Sequence, residues 1–234
     1  MSNNLVVLIF IIILVGIFVL NDNPKNKGVA NEILSNESVT QASKPTDENN
    51  TLKVPFVVQA PYAVWDAFHQ ETCEEASLLM IKYYFDGKSS VSQSEIEQDF
   101  HKMIDYESSV GMGVSINLDQ LNNLAKNYLN LHTGKIIKDF SAEDIINELS
   151  DGNPVIVPVA GKMLKNPNYR NGGAIYHMLV IIGFTHDNFI VNDSGTKQGS
   201  NYEYKKELLL NAIHDWNEQE IMDGPKSALV FGKL

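Results

Sequence analysis

Apolar and polar positions fall into three regimes along this chain. Residues 5–20 form an unbroken run of Leu, Val, Ile and Phe with a single Gly, and no charge precedes Asp22. As a helix the run would span about 24 Å at 1.5 Å per residue, slightly short of a ~30 Å hydrocarbon core. A helix of a globular core would show a polar face, and this one has none. Residues 1–21 therefore read as a signal anchor or signal peptide. The run closes on Phe18-Val19-Leu20, which is no cleavage site, and the nearest small-x-small triplet, Gly28-Val29-Ala30, lies beyond Pro24, Lys25 and Lys27. The anchor is the preferred reading. Residues 22–52 are rich in Asn, Ser, Lys, Thr and Glu without apolar periodicity, the pattern of a flexible polar linker.

From residue 53 the pattern tightens into a folded domain reaching 234. A helical stripe of Cys73, Ala76, Ser77, Met80, Ile81 and Tyr84 predicts a helix over 72–85. Further helices are predicted over 93–103 and 117–128, and a variant capping box at Ser141 and Asp144 opens one that ends before Gly152. The period then shortens. Strands are predicted over 154–159, 175–182, 189–193 and 228–231, with a helix over 206–216 before the last. Helices first and β-structure later predict an α+β fold, with N-terminal helices packed on an antiparallel sheet and one hydrophobic helix in front.

Composition narrows the function. A formal net charge of -11 with no basic cluster disfavours nucleic acid. A single Cys excludes an internal disulfide framework and paired-cysteine zinc sites, and no cofactor or metal is expected. One unpaired thiol in an exported chain draws attention, since oxidising compartments damage thiols that serve no purpose. A buried Cys acting as a small apolar residue accounts for it equally.

Cys73 falls at a predicted helix start, where unpaired N–H groups and the helix dipole favour a thiolate. Glu74 and Glu75 oppose that effect. His177 stands at the front of an apolar strand after the open Asn171-Gly172-Gly173, a position that suits either a base or a satisfied core histidine. Asp193 closes the next strand. A hairpin folded about Thr185 would set Asp193 opposite His177, where a carboxylate can orient an imidazole; a turn-forming Asp before Ser194-Gly195 is the competing reading. Gln70, with Gln59 as the alternative, is the candidate oxyanion donor beside the Cys73 backbone N–H.

Several blocks together resemble the papain-like cysteine peptidases related to the bacteriocin leader peptidases, the thirty-ninth cysteine-peptidase family, in stand-alone bacterial form. They are Val54-Pro55-Phe56-Val57-Val58-Gln59-Ala60-Pro61, Trp65-Asp66, Gln70-Glu71-Thr72-Cys73-Glu74-Glu75-Ala76-Ser77, Asn166-Pro167-Asn168-Tyr169, Tyr176-His177-Met178-Leu179-Val180 and Asn192-Asp193-Ser194-Gly195-Thr196. The resemblance implies Cys73 as nucleophile, His177 as general base and Asp193 as orienting acid. It departs at Thr72-Cys73-Glu74, where many members carry Cys-Gly after an Asp, and at Ala67, where many carry the oxyanion Gln.

The function expected is thiol-dependent hydrolysis of a peptide bond in a membrane-tethered, extracytoplasmic domain, or a secreted one if the N-terminal segment is cleaved. The partners expected are a peptide or protein substrate and, through the N-terminal helix, the membrane. The alternative is a degenerate peptidase-like domain that binds peptide or cell-wall material. A cell-wall amidase of another Cys-His class fits the strand context of His177 and Asp193 less well.

Overall fold

The computed structural model describes residues 50–233. The hydrophobic segment expected over 1–21 and most of the linker expected over 22–52 lie outside these residues. Among the described residues no helix is long and apolar enough to cross a membrane.

Seven strands form one sheet: β1 (Asn50–Thr51), β2 (Gly134–Lys138), β3 (Val155–Val159), β4 (His177–Phe184), β5 (Asn188–Asn192), β6 (Tyr202–Lys205) and β7 (Ser227–Phe231). Their order is β2-β7-β3-β4-β5-β6, with β1 beside β4, and every pair is antiparallel. The central strands β3 and β4 are almost wholly buried. Continuous apolar runs are what a sheet covered on both faces requires.

Five helices supply that cover: α1 (Cys73–Phe85), α2 (Gln93–Ser109), α3 (Leu118–Asn127), α4 (Ala142–Ser150) and α5 (Lys206–Ala212). Helices α1 to α3 build one core with Ile156, Met178, Val180, Ile182 and Leu229. Helices α4 and α5 build another with Val155, Val157, Leu179, Ile181 and Val191. Alternation along each strand divides its side chains between the two. Fully burying one such aliphatic side chain contributes roughly 1.5–3 kcal/mol. Residues Cys73 to Ile81 of α1 are all buried, because the sheet lies on one side and α2 and α3 on the other. Asn117 with Gln120 and Ser141 with Asp144 form reciprocal capping boxes that open α3 and α4.

The helices-on-sheet architecture agrees with the sequence reading, and three details differ. The helix expected over 206–216 stops at Ala212. Strand β7 pairs with β3 only at Val155 and Ile156, so the rest of that edge needs partners. Ala212 O accepts from Ala160 N at 2.8 Å, Ile213 bridges Val159, and His214 N donates to Pro158 O at 3.1 Å. The backbone of 212–214 therefore extends along β3 instead of continuing to coil. Strands β2 and β6, the two edges, lack the apolar density that marks the centre. The β4–β5 hairpin pairs Val180 with Asn192, and a bulge shifts the register between Ile181 and Gly183. Continued past its end, that register sets Asp193 beside Leu179, two positions from His177. A displacement of two keeps both side chains on one face, where a displacement of one would have separated them.

Candidate active site

His177 opens β4 and Asp193 follows directly on β5, so both sit at the same end of the hairpin. His177 Nε2 lies 2.8 Å from Asp193 Oδ1, with both side chains buried. Asp193 is the centre of a wider cluster. Its Oδ2 accepts from the Tyr169 hydroxyl at 2.6 Å, the Tyr204 hydroxyl at 2.7 Å and Asn166 Nδ2 at 3.4 Å. Its Oδ1 also accepts from Gly195 N at 3.1 Å. Burial alone would raise this carboxyl. The His177 charge and the hydrogen bonds from His177, Tyr169 and Tyr204 prevail and hold it below the ordinary range.

The surrounding loop fixes the imidazole. Tyr169 stands edge-on to it, with ring centroids 5.7 Å apart. A Cβ on Gly195 would meet His177 Cε1 at 3.0 Å and Nε2 at 3.1 Å, so any larger residue would press this ring aside by a few tenths of an ångström. Gly199 is tighter still, since a Cβ there would strike the Asp193 carbonyl oxygen. Among the described residues the hydrogen bonds of this ring are all made through Nε2, which leaves Nδ1 for a reacting proton.

Cys73 is the first residue of α1, and Thr72 provides no side-chain cap. The Thr72 hydroxyl turns back to donate to Gln59 O at 3.0 Å. The thiol packs in the first core with Met178, the residue after His177. By alternation His177 belongs to the face of β4 opposite that of Met178.

The thiol's immediate partner is unexpected. Cys73 Sγ donates to Glu74 Oε2 at 2.8 Å, and Glu74 Oε1 accepts from Ile116 N at 3.3 Å. Burial first, then the Glu74 charge and hydrogen bond, push the thiol up, and only the Met178 backbone N–H favours the thiolate. Burial also pushes Glu74 up, to about 7. Desolvation and the adjacent carboxylate thus act against the thiolate that the helix start favours.

Neither glutamine presents a free amide. Gln70 Nε2 donates to Trp65 O at 3.2 Å and Asp66 O at 3.1 Å, within the exposed turn. Gln59 Nε2 donates to His69 O at 2.9 Å and Gln70 O at 3.2 Å. Gln59 N also donates to Ser194 O at 3.1 Å. The buried Gln59 therefore bridges the turn before Cys73 and the loop after Asp193. His69 braces the same turn, with Nδ1 2.8 Å from Asp66 Oδ1 and Nε2 3.0 Å from Glu97 Oε2. Although burial opposes its charge, Glu97 and Asp66 raise the His69 pKa.

Sequence reasoning missed Tyr169, Tyr204 and Asn166 as partners of Asp193, and His69 as a brace. Asn166 and Tyr169 stood in a block already singled out, and Tyr204 in the Tyr202/Tyr204 alternation; His69 gave no comparable signal. Among the described residues no cluster of His, Cys, Asp and Glu has the arrangement of a metal site.

A lone cysteine at a helix start and a buried His–Asp pair at one end of a sheet are the parts of a cysteine-peptidase-like domain. The model of the peptidase C39-like family matches residues 51–220, and the chain belongs to that family. Among solved structures, one from Bacillus anthracis described as a putative C39-like peptidase superposes with a TM-score of 0.53 at 17% identity. The match covers 80% of this chain and 99% of that one, a likeness of fold. No curated protein matches the sequence.

Proposed function

We infer that the chain is a papain-like cysteine peptidase that hydrolyses a peptide bond, with Cys73 as nucleophile, His177 as general base and acid, and Asp193 as the residue that orients His177. The buried 2.8 Å His177–Asp193 contact carries this reading. A carboxylate held by four further donors serves no packing need, but it fixes an imidazole with Nδ1 free.

In the reaction, His177 Nδ1 takes the Cys73 proton as Sγ bonds to the substrate carbonyl carbon. The oxyanion meets the Cys73 N–H at the uncapped start of α1. The C–N bond breaks as His177 returns the proton to the leaving amine. Water, deprotonated by His177, then hydrolyses the thioester and restores the thiol. Throughout, Asp193 stays ionised and stabilises the imidazolium. Quenched-fluorescence peptides and the full-length chain test the reading: wild type cleaves them, while Cys73→Ala and His177→Ala do not. Equal cleavage by Cys73→Ala would sink it.

A peptide-binding domain without turnover is the second reading. The buried thiol, protonated against Glu74, and the two committed glutamine amides favour it. Labelling of Cys73 in the folded protein by an electrophilic peptide probe separates the two.

The tethering expected from the sequence is proposed on the same footing, with an N-terminal anchor, a polar linker and an extracytoplasmic domain. The uncharged run over 5–20 and the polar stretch after it support this. Full-length chain recovered in the soluble fraction without detergent would count against it.

A further inference from the structure

Beside α1 lies a cavity of about 280 Å³ lined by Phe68, Glu71, Glu75, Glu107, Met112 and Val114, among others. Glu71 and Val114 are exposed, whereas Glu75 and Glu107 are 2% and 5% exposed. One oxygen of each buried carboxyl, Glu75 Oε2 and Glu107 Oε1, has no hydrogen-bond partner. Buried carboxyls are normally matched by a cation or by donors. Elsewhere in the domain buried carboxyls have donors: Asp193 accepts from the Tyr169 and Tyr204 hydroxyls, Glu74 from Cys73 Sγ and Ile116 N, and Asp215 from Leu118 N and Trp216 N. No Lys, Arg or His pairs with Glu71, Glu75 or Glu107 among the described residues. Burial, the Glu107 and Glu74 charges and a hydrogen bond with Glu107 lift Glu75 well above the usual carboxyl range, and burial lifts Glu107 to about 7 against that same hydrogen bond.

We propose that this cavity is a specificity pocket for a basic side chain, lysine or arginine, of the peptide substrate. The inference rests on the peptidase reading and names the substrate class for that same site. Glu71 and Glu75 lie two residues before and after Cys73, so Glu71 Cα is within about 7.6 Å of Cys73 Cα, two steps of 3.8 Å. A residue of a bound peptide next to the scissile bond spans a comparable distance. The walls suit an amphipathic side chain: Phe68, Met112 and Val114 take the aliphatic stem, and the carboxyls take the cation. The volume lies just under the ~300–1,000 Å³ of pockets that hold whole small molecules, a size for one side chain. The net charge of -11 draws basic peptides toward the domain.

The test uses the full-length chain and blocked peptides with each position fixed in turn as Lys, Arg, norleucine or Glu. Wild type is expected to prefer Lys and Arg over norleucine at one position, by about thirtyfold or more in kcat/KM, the lower end of what truncating one partner of a buried charge pair costs. In Glu75→Gln and Glu107→Gln the ratio should fall toward one. Because both peptides meet the same preparation, the ratio does not depend on how much of it is folded. The Cys73→Ala chain should bind the Lys peptide more tightly than its norleucine counterpart. Cleavage with no basic preference at any position overturns the pocket and leaves the peptidase reading standing. If wild type cleaves nothing but the Cys73→Ala chain prefers Lys peptides, the peptidase reading fails and the pocket stands. Neither cleavage nor preference overturns both.

Discussion

Replacing Glu74 by Gln should release the thiol. At pH 8 the Glu74 carboxyl, which titrates at about 7, is ionised and holds the Cys73 proton across 2.8 Å. A hydrogen bond to a charged group contributes about 1.5–3 kcal/mol. Removing the charge while keeping the side chain's shape removes that bias against the thiolate. At 1.36 kcal/mol per factor of ten, iodoacetamide should alkylate Cys73 in Glu74→Gln roughly ten- to a hundredfold faster than in wild type at pH 8. Below pH 7 wild-type Glu74 takes up its own proton, so the two rate curves should converge. The assay is the rate of mass increase by one adduct, measured from pH 5 to 9. As Cys73 is the only cysteine, the adduct reports on one site. Superposed curves at pH 8 would refute the argument, and a slower Glu74→Gln would show that Glu74 activates the thiol.

Four further outcomes are expected. His177→Ala should abolish peptide turnover, whereas Asp193→Asn should reduce kcat and leave the thiol alkylatable; equal residual turnover in both would show that His177 is not the base. Gln59→Ala should cost more activity and thermal stability than Gln70→Ala, since Gln59 joins both halves of the site while Gln70 braces an exposed turn; the reverse order, read from kcat/KM and melting temperature, would refute this. Gly195→Ala should lower kcat with little change in melting temperature, because the added methyl presses on the His177 ring at 3.0 Å; unchanged kcat would show that the ring can yield. Stability should fall as pH rises from about 4.5 to 7: Glu74 and Glu107 are raised from 4.5 to about 7, so the folded chain binds these protons more tightly, worth about 3 kcal/mol for the wholly buried Glu74. The opposing Asp193 contribution, from a lowered pKa, is already in place by pH 5. Melting should therefore occur at higher temperature at pH 5 than at pH 8, and the opposite order would overturn the linkage.

The parts of this site legible in the sequence are those fixed locally. Cys73 opens a helix because the apolar spacing after it is helical, and His177 and Asp193 share a hairpin end because two apolar runs flank a polar turn. The exact register was not legible, since the bulge between Ile181 and Gly183 adds no residue type that announces it. Edge strands β2 and β6 were hidden for a related reason, because partial exposure removes the apolar density that marks a strand. The partners of Asp193 arrive from positions 166, 169 and 204, and no spacing rule connects them. The partners of Gln59 and Gln70 were not legible either, because an amide near a cysteine in sequence can spend its donors on backbone carbonyls. Glu74 was read correctly in sign, but only the folded chain reveals that it touches the sulfur.

The short strand β1 has a geometric consequence for reach. Thr51 pairs with Gly183 and Asn50 with Phe184, at the opposite end of β4 from His177. At about 3.4 Å per residue, these two ends of one strand stand roughly 20 Å apart. The described chain therefore enters the domain at the foot of the strand whose other end carries His177, and the two points share one rigid element.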